Sequence, residues 1–146
     1  MYKYNENTYI SLIILTIILS IFTIIANWKL YKKAGKPGWA SLVPIYNYVV
    51  LLQIAGLNWW YILYIVFGAF VVPFTNVGFA VLYTLVGLYI SFATYYNIGK
   101  KMKQSGILYG FLGTFFNNLA ILILGFSKKI EYDKSIEVNP NGPFAA

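Results

Sequence analysis

Between Asn7 and Ile130 the chain carries no aspartate, glutamate, arginine or histidine, and its charges there are lysines bunched at 29–36, 100–103 and 128–129. A charged side chain costs at least about 2.5 kcal/mol at the centre of a bilayer, so long charge-free apolar blocks separated by short basic loops read as membrane spans and their turns. Composition agrees. Hydrophobic residues make up 60%, charged residues 10%, and the mean hydropathy is +0.67, against about 25% charged residues in a soluble domain. All four acids, Glu6, Glu131, Asp133 and Glu137, lie towards the chain ends, and the formal charge is +7. The lysine excess is a topology signal, and it also predicts attraction to anionic headgroups. Nucleic acid is not an expected partner, because the basic loops are short and the residues between them belong in lipid.

Tyr9 to Asn27 is free of charge and long enough to cross a hydrocarbon core of about 30 Å at about 1.5 Å per residue. The run has no A-x-A cleavage signal and is expected to stay as an anchor. Trp28 and Tyr31 close it as interfacial aromatics, and Lys29, Lys32, Lys33 and Lys36 place that end in the cytoplasm. From Trp39 to Gly56 the chain is apolar, but a crossing there would send Lys100, Lys101 and Lys103 to the opposite side from the first cluster. A helix at the interface, or dipping into one leaflet and bent at Pro44, satisfies both clusters. Trp59–Val72 is the second expected span and Val77–Gly99 the third. Ile107–Phe126 is the last block, for which length favours a single span while charge favours a hairpin broken at Asn117-Asn118. The expected fold is an all-α membrane protein with about four transmembrane helices and an interfacial or dipping helix between the first and second. The membrane domain covers 1–134, and 135–146 reads as a flexible polar tail.

Two turn-like strings, Val43-Pro44-Ile45-Tyr46-Asn47 and Val72-Pro73-Phe74-Thr75-Asn76, share V-P-x-x-N. Each is expected to end an apolar segment at a membrane surface.

Ala80, Thr84, Gly87, Ser91 and Thr94 recur every three or four residues and form a stripe of small groups on one helix; Gly106, Gly110 and Gly113 do the same on the next. Such faces let helix backbones approach closely where apolar burial gives no advantage over lipid. The embedded amides Gln53, Asn117 and Asn118 are candidates for a polar path, because a carbonyl oxygen can coordinate a neutral solute or a bare cation. Proton-coupled transport, metal chemistry and paired-carboxylate hydrolysis lack their usual groups, since there is no histidine or cysteine and no acid inside the spans. A serine activated by a neutral lysine is the remaining nucleophilic device. Its close pairings are Ser41 with Lys36 and Ser105 with Lys101 or Lys103, all at the water interface, where a lysine keeps its proton. No catalytic residue and no cofactor is expected.

The string Lys33-Ala34-Gly35-Lys36-Pro37-Gly38-Trp39, running on through Pro44-Ile45-Tyr46-Asn47, Leu51-Leu52-Gln53-Ile54-Ala55-Gly56 and Trp59-Trp60, resembles a family of small bacterial membrane proteins classed as a domain of unknown function. Ile123-Leu124-Gly125-Phe126 followed by polar residues also looks like the end of that domain, so the resemblance runs from about Trp28 to Tyr132. It implies a multi-spanning bacterial inner-membrane protein and no activity. A signal-peptidase-like label carried by some members finds no base for its serine here. Asn117-Asn118 departs from the more apolar, proline-broken segment the family leads one to expect.

The function these features suggest is a non-enzymatic accessory or assembly subunit that packs against a larger membrane partner or against itself, in contact with membrane lipids through Lys29, Lys32, Lys33, Lys36, Lys100, Lys101 and Lys103. The alternatives are a channel for a neutral or cationic solute and a membrane-embedded serine-lysine peptidase.

Overall fold

The computed structural model describes residues 6–71 and 75–144, and among them it is all helical, with six α-helices, one 3-10 helix and no strand. Helix α1, Glu6–Lys33, is 28 residues long, or about 42 Å. No glycine or proline interrupts it. It stops at Gly35, whose left-handed φ of 71° allows Gly35 N–H to reach the Lys32 carbonyl at 3.0 Å and Lys36 N–H the Tyr31 carbonyl at 2.8 Å. This pair of bonds satisfies carbonyls that a helix end otherwise leaves open, and Pro37 prevents continuation.

A 3-10 helix, Gly38–Leu42, packs against the last turns of α1, with Gly38 lying on the Trp28 indole ring. Helix α2, Pro44–Ala55, follows. Its proline occupies the first turn, where a missing N–H costs nothing, so the helix starts at Pro44 instead of bending there as expected. It closes as α1 does, through Gly56 at φ 68°, with Gly56 N–H on the Gln53 carbonyl and Leu57 N–H on the Leu52 carbonyl. Helix α3, Tyr61–Val71, has 11 residues. The end of the expected second span at Val72 and the Val72-Pro73-Phe74 part of the second V-P-x-x-N string lie outside the described residues. Asn76 of that string caps the next helix by accepting from Phe79 N–H at 2.9 Å, whereas Asn47 of the first sits inside α2, so the two strings do different work. Helix α4, Val77–Lys101, is 25 residues long.

The block expected to form one span over 107–126 is instead two helices of 10 residues each, α5 (Gly106–Phe115) and α6 (Asn117–Phe126). The break falls at Phe116, with φ −132° and ψ 53°, one residue before the paired asparagines. Each helix is about 15 Å long, half of a hydrocarbon core. The pair leaves from the Lys103 end of α4 and finishes at the lysine end of α1, where Lys33 Nζ donates to the carbonyls of Leu124 and Ser127 at 2.6 Å each. Those two carbonyls are among the ones a helix C-terminus leaves unbonded.

Only α1 and α4 are long and apolar enough among the described residues to cross a membrane, with mean hydropathies of 2.7 and 1.8. Both carry their lysines at the C-terminal end. The core gathers there: Leu30, Tyr31, Val50, Ile54, Ile98, Met102 and Leu124 are shut away where the last turns of α1 and α4 meet α2 and α6. The rest of α1 lies outside this core. Tyr9 through Phe22 are exposed on every side, Ile13 at 59%.

Residues 127–144, the stretch that contains the polar tail, return along α4. Ile130 is buried, Tyr132 Oη donates to the Ile54 carbonyl at 2.8 Å, and Asp133 N–H donates to the Lys101 carbonyl at 2.8 Å. Further on, the Asn139 carbonyl accepts from Asn97 Nδ2 at 3.2 Å and the Asn141 carbonyl from Tyr61 Oη at 3.0 Å and Tyr89 Oη at 3.2 Å. Asparagines and prolines without helix-forming neighbours leave carbonyls free of helix bonds, and here the hydroxyls and amides of α3 and α4 use them.

Candidate functional site

The small residues on α5 face inwards. A methyl group at Gly110 would fall 2.6 Å from the Phe92 ring, one at Gly106 would lie 3.0 Å from Tyr96, and Gly113 sits hard against the Tyr95 ring. The glycines therefore let α5 lie on three aromatic side chains of α4, and this face is used within the chain. On α4 the stripe divides. Ala80 and Thr84 lie near the far end, where the Thr84 hydroxyl donates to the Ala80 carbonyl. A methyl group at Gly87 would lie 3.0 Å from the Tyr64 hydroxyl, beside a stacked Tyr64–Tyr83 pair whose hydroxyls each donate to the other residue's carbonyl. Ser91 and Thr94 line a cavity.

That cavity holds about 220 Å³ and is enclosed by Tyr48, Leu51 and Leu52 of α2, Tyr64 and Ile65 of α3, the Gly87–Tyr95 face of α4, and Asn117 at the start of α6. Asn117 Oδ1 accepts from Tyr95 Oη at 2.8 Å, which fixes the amide at the rim. The walls are apolar apart from tyrosine hydroxyls, Ser91, Thr94 and this amide. Thr94 Oγ1 is already donating to Ile90 O, as helix hydroxyls do. Such a space suits a small, mostly apolar molecule with one or two hydrogen-bonding groups.

The expected polar path does not assemble around it. Gln53 is exposed at the end of α2 and accepts from Lys36 Nζ at 2.8 Å, at the lysine end of the molecule. Asn118 is exposed beside the helix break and does not line the cavity. Of the three amides only Asn117 reaches it. Tyr48, Tyr64 and Tyr95, which no pattern in the sequence marks, also line it. Nothing in their spacing could have revealed this, since the cavity joins α2, α3, α4 and α6, whose separations in sequence carry no pattern.

The lysines share one end of the molecule with different partners. Lys29 stands 4.3 Å over the Phe126 ring, Lys32 5.8 Å over Trp28, Lys100 5.3 Å over Tyr96 and Lys101 5.7 Å over Tyr132. Lys103 pairs with Asp133 at 3.1 Å, an exposed bond of small energetic weight. Hydrogen bonds from the Ser135 hydroxyl and N–H, then Lys103, hold the Asp133 carboxyl well below the usual carboxylate range, at about 2, so it is charged at neutral pH. The two serines paired with lysine in the sequence have structural roles: Ser41 Oγ donates to the Gly38 carbonyl at 2.9 Å and Ser105 Oγ caps α5 by accepting from Leu108 N–H.

These features define an all-helical protein with two helices able to cross a membrane, a lysine-bearing end and a small apolar cavity. The chain belongs to a family of unknown function, DUF5684, whose model matches residues 39–135. Tyr46, Asn47, Trp59 and Trp60 of the string noted above lie within that match, and Lys33–Gly38 lie just ahead of it. No curated protein and no solved structure matches the chain.

Proposed function

We propose that the chain is a multi-pass protein of the bacterial inner membrane that crosses three times, through α1, through the segment that contains α3, and through α4. The α5–α6 pair enters and returns on the cytoplasmic side, which keeps all three lysine clusters inside. Its role is that of a non-enzymatic accessory or assembly subunit, and α1 is the element that meets a transmembrane helix of a larger complex or of a second copy.

One observation carries this reading: the more apolar of the two long helices is packed only over its last turns, and 6% of its most apolar stretch is buried. Thr16, Ser20 and Thr23 fall within one side of that exposed length and lead to the buried Asn27, and small hydroxyl residues in such an arrangement favour helix contact in lipid. The glycine faces of α5, by contrast, are used internally and give no such surface. A solute path has weaker support, because Gln53 and Asn117 serve different places.

A photoreactive side chain at Ser20 tests the proposal. Irradiation in native membranes is expected to yield a defined product, either a dimer of this chain or a one-to-one adduct with another membrane protein, and Thr16→Leu should reduce it. A monomer crosslinked only to lipid would contradict the proposed role.

A further inference from the structure

Lys29, Lys32 and Lys33 at the end of α1 meet Gly125, Phe126, Ser127 and Lys128 at the end of α6 around an open cleft of about 450 Å³. Lys128 comes from the opposite end of the sequence, so the cluster is a product of folding. Like charges gathered around one cleft repel, and among the described residues no carboxylate pairs with Lys29, Lys32 or Lys128. Lys103, by comparison, has Asp133, and Lys36 has Gln53. We propose that Lys29, Lys32 and Lys128 bind a phosphate group, of the kind borne by an anionic phospholipid headgroup.

The rest of the cleft is built for an anion. Carbonyls at a helix C-terminus repel negative charge, and here Lys33 occupies those of Leu124 and Ser127, leaving a fixed cation in their place. The Lys29 and Lys32 ammonium groups lie over aromatic rings, which hold them by a cation–π contact while their N–H donors remain for other acceptors. A phosphate offers several acceptor oxygens to these converging donors, where a carboxylate offers two. Lipid is the source the surroundings favour, because exposed Ile24 and Ile25 one turn back on α1, and Ile123 on α6, give acyl chains an apolar wall to lie against. This inference rests on the proposed placement of the lysine end at the membrane surface.

The test is native mass spectrometry of the detergent-solubilised full chain with phosphatidylglycerol, phosphatidylcholine or inorganic phosphate. It compares the wild type, the triple variant K29Q/K32Q/K128Q and a control triple, K3Q/K129Q/K134Q, with the same loss of charge. The wild type and the control should retain phosphatidylglycerol, and the cleft variant should bind it about a hundredfold more weakly, roughly fivefold per lysine. Phosphatidylcholine should bind weakly to all three. Binding of inorganic phosphate with the same dependence on the three lysines would assign the site to the free ion and keep the phosphate chemistry. Equal loss in both triples, or equal binding in all, would overturn the proposal. Should the cleft triple fail to fold, K128Q alone, at an exposed position, is expected to weaken binding roughly fivefold, and an unchanged affinity would overturn the proposal equally. Release of the wild type from membranes by alkaline carbonate would reveal failure of the membrane placement separately.

Discussion

Replacing Gly125 with alanine is expected to separate α6 from α1 and to lower the unfolding temperature by several degrees. The added carbon would sit 2.8 Å from the Ala26 carbonyl carbon and 2.9 Å from its Cα, and these are backbone atoms that cannot swing aside as a side chain can. Ala26 is fully buried, so α1 has no room to roll away. Overpacking in a filled contact costs about 1–3 kcal/mol. Here the displacement also pulls the Leu124 and Ser127 carbonyls from Lys33, a loss that water entering the open cleft offsets in part. Gly78→Ala is the matched control: the added carbon would meet only the capping Asn76 Oδ1, at 3.5 Å, and alanine suits a helix better than glycine by up to about 1 kcal/mol. Thermal unfolding in detergent compares them. Equal transition temperatures would mean that α1 and α6 do not meet through Gly125.

Ending the chain after Val138 is expected to have the next largest effect. This removes the Asn139, Pro140 and Asn141 carbonyls and the Asn141 side chain, and so takes the acceptors from Asn97 Nδ2, Tyr61 Oη, Tyr89 Oη, and the Asn58 N–H and Nδ2. Tyr61 and Asn97 are buried, and each donor that water fails to reach costs about 1–3 kcal/mol. Hydrogen exchange of residues 56–64 should rise in the truncated protein, along with a drop in unfolding temperature. Unchanged protection there would show that the C-terminal segment does not hold the α2–α3 turn.

The two long helices were legible because their signal is a length of uncharged sequence, and length is what a bilayer selects. Val77–Gly99 was expected and Val77–Lys101 is found. Gly35 and Pro37 marked the end of α1, and Pro44 marked a boundary, although the sequence did not say whether the proline would bend a helix or start one. The division of 107–126 is the alternative that charge favours. Length argued against it, and the choice turned on Phe116, an apolar residue with no signature of a break. The return of the C-terminal segment was hidden, since an N-P-N-G-P string looks the same whether its carbonyls face water or the tyrosines of α3 and α4. Lys33 was readable as a cation near a surface. Its use as a cap for α6 depends on a contact across more than ninety residues, which local pattern does not encode.

The same long-range contacts fix which loops lie on the same side of the membrane in the proposed arrangement. If lipid surrounds α1 and α4 and the α5–α6 pair turns back, the loop after α4 and the segment after α6 share one side of the membrane. The natural chain has no cysteine, so Gln104→Cys and Ser135→Cys, both at exposed positions, report without background. An impermeant maleimide applied to sealed right-side-out vesicles is expected to leave both unlabelled until the membrane is permeabilised, and to label both in inverted vesicles. Labelling of Ser135→Cys from outside while Gln104→Cys stays protected would restore a full crossing over 107–126 and contradict the account.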